Sequence, residues 1–105
     1  MLSYQHAYHA GGPADLHKHL ILAELLDLLT RKPRSLSYFE THAGRGMYDL
    51  TSTESQKTGE AAEGISAITL PDCPLRRALE QVQERHGADI YPGSPLIAQT
   101  LLRPD

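Results

Sequence analysis

The stretch that most constrains the fold is a short apolar run that ends in a glycine-punctuated turn, residues 36–48, with the sequence LSYFETHAGRGMY. Tyr38 and Phe39 favour a pleated surface, so the first half predicts a β-strand. Gly44 and Gly46 allow a positive φ or a close approach of a ligand to the backbone. A strand that runs into a G-x-G turn holds nucleotide-like ligands in doubly wound α/β folds. Hairpins and bulges also use two such glycines, and the full dinucleotide fingerprint is absent, so both interpretations stay open.

A long amphipathic helix is predicted ahead of this stretch, over residues 14–30. Pro13 suits the first turn of a helix, and Asp15 places a negative charge near the helix N-terminus. Pro33 ends the helix. Its apolar residues form a wide face: Leu16, Leu20, Ile21, Ala23, Leu25, Leu28 and Leu29. Because this face is too wide for a helix on a free surface, we expect it to pack on a sheet or on other helices.

The middle of the chain is predicted to begin with a loop and to continue as a short helix. Residues 49–60 are rich in Ser, Thr and Gly, which is typical of a loop. Residues 60–70 can form a short helix, with Ile65 and Ile68 facing inward.

The last third is predicted to contain two further helices. Residues 75–85 carry apolar side chains on one face, and Gly87 is suited to end that helix. Residues 90–91 form a short extended piece. The turn that follows predicts a final helix, in which Ser94 is the N-cap and Pro95 occupies the first position.

Composition restricts the class of protein. A chain of 105 residues with 40% hydrophobic and 22% charged residues is sufficient for one small domain. Nothing approaches the length of a transmembrane helix, and no secretory signal is visible. The single cysteine, Cys73, excludes an internal disulfide and is compatible with the cytoplasm.

The net charge of −3 argues against general nucleic-acid affinity. Residues 1–48 nevertheless carry five of the six histidines, so a bound polyanion would contact this half of the chain. The alternative is an ordinary scatter of charges over the surface, without a functional meaning.

The histidines do not predict a metal site. His6 and His9 have H-x-x-H spacing, but zinc needs three or four ligands and no cysteine lies nearby. His17 and His19 lie two apart on the predicted helix and would point roughly 200° apart, so they cannot chelate one ion together. The plain alternative for these histidines, and for Lys18, is a solvated surface position.

Four sequence blocks occur in order, and together they cover nearly the whole chain. The first block is MLSYQHAYHAGG, closely followed by AD and KH, and the other three are THAGRG, KTGE and YPGSPLIA. In this respect the chain resembles the N-terminal part of the RlmJ family of 23S ribosomal RNA adenine-N6 methyltransferases. The resemblance implies an α/β fold: the N-terminal fragment of a Rossmann-like, S-adenosylmethionine-dependent methyltransferase, mostly helical as it stands. It divides the chain into residues 1–48 (tail, leading helix, first strand and glycine turn), 49–92 (an inserted helical subdomain) and 93–105 (the start of a return helix).

The resemblance also implies roles for particular residues. S-adenosyl-L-methionine would be bound by a set of polar residues and glycines: Lys18, His19, His42, Gly44, Gly46 and Ser94. A lysine is a natural partner for the carboxylate of the cofactor, and a histidine can donate to it. Ser94 at a helix start offers a hydroxyl group and backbone amides. Tyr4 would contact the substrate RNA, where its ring can stack on an exposed base.

The sequence departs from the family pattern in several places. No Asp-Pro-Pro-Tyr type motif is present, and neither is the acidic residue of the second strand that would hold the cofactor ribose. We therefore expect the catalytic residues beyond residue 105 and no methyl transfer from the isolated segment. Gly12-Pro13 stands where the family tends to have Asn-His, and His17 stands where an apolar residue is commoner.

Two other functions remain alternatives, namely a non-catalytic RNA-binding module and a helical interaction domain that needs a partner. The partner that the resemblance implies is 23S ribosomal RNA, and no association with a membrane is expected. The complete enzyme would be a monomer. Because a single strand cannot form a sheet alone, the isolated segment is expected to expose apolar surface and to self-associate.

Overall fold

The computed structural model describes residues 5–40 and 44–103, which form helices and one small two-stranded sheet. The helices are a 3-10 helix at His6–Tyr8 and five α-helices: α1 (Pro13–Thr30), α2 (Thr53–Thr58), α3 (Glu60–Glu63), α4 (Pro74–His86) and α5 (Ser94–Leu101). The strands are β1 (Met47–Asp49) and β2 (Ile90–Pro92). The observed class is thus mixed, with helix predominating, as the sequence predicts.

The three longest helices lie where the sequence predicts them, and their ends follow the local signals. Pro13 is the first residue of α1 and Pro74 the first residue of α4, where the missing amide hydrogen costs no helical hydrogen bond. Gly87 ends α4 with a φ of 120°, a conformation that side-chain-bearing residues rarely adopt.

The core lies where α1, α4, α5 and β2 meet. Helix α1 packs against both α4 and α5, and α4 packs against α5 and β2. The buried cluster consists of Leu16, Ala23, Leu70, Leu75, Leu79, Tyr91 and Ile97. Because Tyr91 is fully buried at the centre of this cluster, β2 is held against the helices as well as against β1.

The sheet joins two distant parts of the chain. Strand β1 pairs antiparallel with β2, with Tyr48 opposite Tyr91. The pairing brings both ends of the segment 50–89 to one place, next to the start of α5.

The strand predicted over residues 36–40 is absent, so that prediction is wrong. Residues 34–40 lie in no helix or strand, and Phe39 is 87% exposed. A strand requires a hydrogen-bonded neighbour, and within the described residues only β1 and β2 are paired. Arg103 holds the start of this segment instead, because its guanidinium donates to the carbonyl oxygens of Lys32 (2.7 Å) and Arg34.

Two details of the middle region also differ from the predictions. The expected loop at residues 49–60 contains α2, because the Ser52 hydroxyl accepts a hydrogen bond from the Ser55 amide and Gly59 ends the helix at a φ of 69°. Ile65 packs against the core as expected, whereas Ile68 is 47% exposed.

Helix α1 buries only part of its apolar surface. Leu16, Ala23 and Leu26 face the core, but a second set of large apolar residues stays exposed: Ile21, Leu25, Leu28 and Leu29. The predicted wide face is therefore covered on one side alone, by α4 and α5. No helix in the described part of the chain has both the length and the apolar character needed to cross a bilayer.

Candidate functional site

One polar cavity of about 460 Å³ opens between four parts of the chain. These parts are the N-terminal segment (residues 5–12), the beginning of α1, the residues before β1, and the beginning of α5. Its walls are formed by Gln5, His6, Ala7, Lys18, His19, Gly44, Arg45, Tyr48, Gly93 and Ser94. The β1–β2 pairing positions two of these walls, since β1 follows Arg45 and β2 precedes Gly93.

Four residues of the cofactor set implied by the sequence line this one cavity: Lys18, His19, Gly44 and Ser94. They come from three elements that are far apart in the sequence. Gly46 is not among the lining residues. His42 and Tyr4 lie outside the residues that the structure describes.

The two glycines of the turn have different surroundings. Neither has a positive φ; the glycines that do are Gly11, Gly59 and Gly87. A Cβ on Gly44 would lie 2.4 Å from the Tyr48 hydroxyl oxygen, whereas a Cβ on Gly46 would meet nothing within 4 Å.

The close approach that Gly44 permits is therefore to the chain's own Tyr48. The Arg45 amide donates a 2.9 Å hydrogen bond to that Tyr48 hydroxyl oxygen, which fixes the turn. The space beside Gly46 is open, and its role beside a ligand stays a prediction.

The start of α5 forms another wall of the cavity. Ser94 is the first helical residue and Gly93 is the N-cap, so the prediction of Ser94 as the cap is wrong by one position. Gly93 is required there because a Cβ would lie 2.1 Å from the carbonyl oxygen of Arg45. The amide of Gly93 donates to the carbonyl oxygen of Gly46 at 2.8 Å. The positive end of the α5 dipole and the Ser94 hydroxyl therefore lie at the cavity.

A buried carboxylate lies behind the cavity wall. The side chain of Asp15 is 2% exposed, and its Oδ2 atom lies 2.9 Å from Nε2 of His6 and accepts a 3.0 Å hydrogen bond from the Gly11 amide. Burial alone would raise the pKa of Asp15. The hydrogen bonds from His6 and Gly11 outweigh that effect and lower its pKa below the ordinary value.

His19 is buried beside this carboxylate and is neutral at physiological pH. Burial lowers the pKa of His19 from 6.5 to about 4, although the neighbouring charge of Asp15 acts in the opposite direction. Its Nδ1 atom lies 2.8 Å from the hydroxyl oxygen of Tyr91, and the two rings stack at 5.6 Å.

The same surroundings favour one tautomer of His19. Burial raises the pKa of Tyr91, so its hydroxyl stays protonated and is able either to donate to Nδ1 or to accept from it. The negative charge of Asp15, whose Oδ1 lies 3.6 Å from Nε2, favours the tautomer with the ring proton on Nε2, and in that tautomer the Tyr91 hydroxyl donates to Nδ1. Nε2 of His19 and Oδ1 of Asp15 are both buried, and neither has a hydrogen-bond partner in the described part of the chain.

The cavity is suited to an anionic group. Lys18 and Arg45 bring two positive charges to its walls, and the N-terminus of α5 adds the amide end of a helix. Sequence reasoning did not select Arg45, His6 or Tyr48 for this site. Arg45 was visible between the two glycines, and His6 was considered only as a metal ligand.

His6 and His9 make separate contacts with carboxylates. Their ring centroids are 6.5 Å apart; His6 contacts Asp15, while Nδ1 of His9 lies 2.8 Å from Oε1 of Glu60. Among residues 5–40 and 44–103, no group of three or more His, Cys, Asp or Glu side chains converges in a way that could hold a metal ion.

Comparison with known proteins identifies the family. The family model described as "Ribosomal RNA large subunit methyltransferase D, RlmJ" matches residues 33–105, most of the chain. The chain belongs to this family. Curated relatives named "Ribosomal RNA large subunit methyltransferase J" include one from Haemophilus influenzae, 42% identical over 111 residues, and one from Escherichia coli, 40% identical over 109 residues. Each alignment covers 98% of this chain but 39% of the relative's length, so the chain corresponds to about two fifths of a member of the RlmJ family.

Proposed function

We propose that this chain is part of an S-adenosylmethionine-dependent methyltransferase that modifies the N6 amine of an adenine in 23S ribosomal RNA. In this proposal the chain contributes one side of the cofactor pocket and a contact with the RNA. One observation carries the proposal beyond family membership: Lys18, His19, Gly44 and Ser94 line a single cavity. Chance would rarely gather that set from α1, the glycine turn and α5.

The chemistry of the cavity fits the amino-acid end of such a cofactor. The carboxylate of the cofactor matches the positive charge of Lys18 and the hydroxyl of Ser94 at the start of α5. The Nε2 proton of His19 is a buried donor without a partner in the described part of the chain, so a bound acceptor could satisfy it.

The contribution of these residues to catalysis is positioning. When bound, S-adenosylmethionine supplies a methyl group that is activated by a positively charged sulfur. The lysine, the serine hydroxyl and the buried imidazole would fix the orientation of the cofactor and exclude water, so that the adenine amine meets the methyl group in line. Holding two reactants in such an arrangement accounts for a large part of the rate enhancement of many enzymes.

We propose that Tyr4 makes the RNA contact. Tyr4 stands two residues before His6 in the sequence, and His6 lines the cavity. An aromatic ring that stacks on an unpaired base contributes about 1–3 kcal/mol. In a full-length enzyme, Tyr4→Ala should therefore reduce RNA affinity or turnover by roughly tenfold or more, and Tyr4→Phe should keep most of it.

The exposed apolar surface fits a place in a larger Rossmann-like domain. Residues 34–40 lie in no helix or strand, and α1 exposes Ile21, Leu25 and Leu28. We propose that the remaining part of a methyltransferase domain pairs with residues 34–40 and covers this face of α1. In the same proposal residues 49–92 are an insertion in that domain, since β1 and β2 bring its two ends together.

A chimaera tests the proposal directly. The chain replaces the matching segment of the Haemophilus influenzae relative, and the product is incubated with labelled S-adenosylmethionine and unmodified 23S ribosomal RNA. We expect label in N6-methyladenosine after digestion to nucleosides, and no incorporation by the 105-residue chain alone. Lys18→Met should raise the KM for the methyl donor, whereas Lys57→Met, at a lysine outside the cavity, should not.

Two results would contradict the proposal. A folded chimaera that incorporates no methyl group would show that the cavity does not serve this reaction. Methyl incorporation by the 105-residue chain alone would show that the catalytic residues lie within this chain and not beyond residue 105.

A further inference from the structure

We propose that Asp15 is a positioning residue of the cavity, whose buried carboxylate holds His6, His19 and Lys18 in place around the bound methyl donor. This inference rests on the proposed function for its ligand, but its structural part can be tested without a ligand. The side chain of Asp15 does not itself line the cavity. It would therefore act through its neighbours.

The geometry brings three cavity walls to one carboxylate. Oδ2 of Asp15 lies 2.9 Å from Nε2 of His6, and Oδ1 lies 3.6 Å from Nε2 of His19 and 3.9 Å from Nζ of Lys18. Lys18 and His19 follow Asp15 on α1 at the spacings i+3 and i+4, which place them over the same side of the helix. His6 comes from the N-terminal segment, outside α1.

A second contact of the same carboxylate holds the N-terminal segment. The Gly11 amide donates to Oδ2 of Asp15 at 3.0 Å, and the carbonyl oxygen of Gly11 accepts from the Ile65 amide at 2.9 Å. Asp15 therefore fixes the segment at two points, through His6 and through Gly11. Other contacts also hold the segment: Nδ1 of His9 lies 2.8 Å from Oε1 of Glu60, the Thr58 hydroxyl donates to the carbonyl oxygen of Tyr8, and Ala7 and Ala10 pack with Tyr48.

Burial makes these contacts strong and their loss costly. A carboxylate that is 2% exposed must be compensated by donors, and His6 and the Gly11 amide donate to Oδ2. Oδ1 has no hydrogen-bond partner in the described part of the chain, so Lys18 and His19 interact with it electrostatically. The charge of Asp15 also selects the His19 tautomer with its proton on Nε2. Without that charge both tautomers become accessible, and the donor that would face the ligand is no longer defined.

The test uses Asp15→Asn, which keeps the shape of the side chain but removes its charge. Asp27→Asn is the matched control, because Asp27 lies on the same helix and pairs with Arg31 at 2.7 Å, away from the cavity. Nitrogen-15 spectra of the histidine rings are recorded on the full 105-residue chain. We expect the Nε2 resonances of both His6 and His19 to move in Asp15→Asn and to stay in place in Asp27→Asn.

The second readout is ligand affinity in the chimaera, with S-adenosylhomocysteine as the probe, below the melting temperature of both variants. We expect Asp15→Asn to weaken binding about tenfold and to raise the KM for the methyl donor more than it lowers kcat. A merely structural role would lower the melting temperature and leave this affinity unchanged, and that result would overturn the inference.

If Asp15→Asn does not fold, His6→Asn provides the same decision. Because His6 and His19 share one carboxylate, His6→Asn should shift the Nε2 resonance of His19 while that of the exposed His17 stays in place. An unchanged His19 resonance would show that His6 and His19 are not coupled through Asp15, and the inference would be wrong. Failure of the unsubstituted chimaera to bind S-adenosylhomocysteine would contradict the proposed function, whereas the ring spectra would still decide the role of Asp15.

Discussion

Mild acid should destabilise this chain through one buried histidine. The His19 side chain is 1% exposed, and its pKa lies at about 4 in the folded state against 6.5 for the ordinary value. Between these two pH values the unfolded chain binds a proton at His19 and the folded chain does not. The free energy of unfolding therefore falls as the pH falls from 6.5 towards 4, and His19 contributes no pH dependence above 6.5.

The size of the effect follows from that pKa difference. Each pH unit within the window is worth ~1.4 kcal/mol, so the loss should reach ~2 kcal/mol at pH 5 and ~3 kcal/mol at pH 4. Domains of this size are stabilised by only about 5–15 kcal/mol in total, so a loss of this size is easily measured. Asp15 does not mask it, because the contacts of Asp15 lower its pKa and its charge is lost only in stronger acid.

The assay is urea denaturation of the 105-residue chain at pH 7.5 and at pH 5.0, with His19→Phe and His17→Gln as a pair of variants. His19→Phe should remove most of the difference between the two pH values, whatever its own stability. His17→Gln removes an exposed ring from the same helix and should keep the difference. Equal stability of the unsubstituted chain at both pH values, or an equal pH difference in His19→Phe, would refute the reasoning.

Three further perturbations follow from the packing. Gly64→Ala should detach the N-terminal segment and lower the melting temperature, because a Cβ there would lie 2.2 Å from the carbonyl oxygen of Gly11. Gly46→Ala is the control: a Cβ there would have nothing within 4 Å, so this variant should keep its melting temperature. Tyr91→Phe should cost about 1–3 kcal/mol in urea denaturation, since it leaves a buried ring nitrogen of its histidine partner without a donor. Leu25 is 51% exposed on α1, and Leu25→Lys should reduce self-association in analytical ultracentrifugation without lowering the melting temperature. Unchanged self-association would show that this face of α1 is not the contact between copies of the chain.

The three longest helices could be predicted from the sequence because their signals are local. Pro13 and Gly87 mark helix ends through their own backbone preferences, and the structure confirms both. The family resemblance selected Lys18, His19, Gly44 and Ser94, which line one cavity. The role of Asp15 was not predicted, because a carboxylate in the first turn of a helix already has a local explanation as a charge that favours the helix dipole.

The sequence alone determined where α1, α4 and α5 lie, because helix spacing, prolines and glycines act within a few neighbours. Only the tertiary structure decided which apolar and polar groups are paired. The run at residues 36–40 has strand-forming side chains but belongs to no strand, since a strand exists only with a hydrogen-bonded neighbour. Similarly, His19 becomes a neutral ring because folding buries it, and folding also brings Tyr91 to it as a hydrogen-bond partner across 72 residues of sequence.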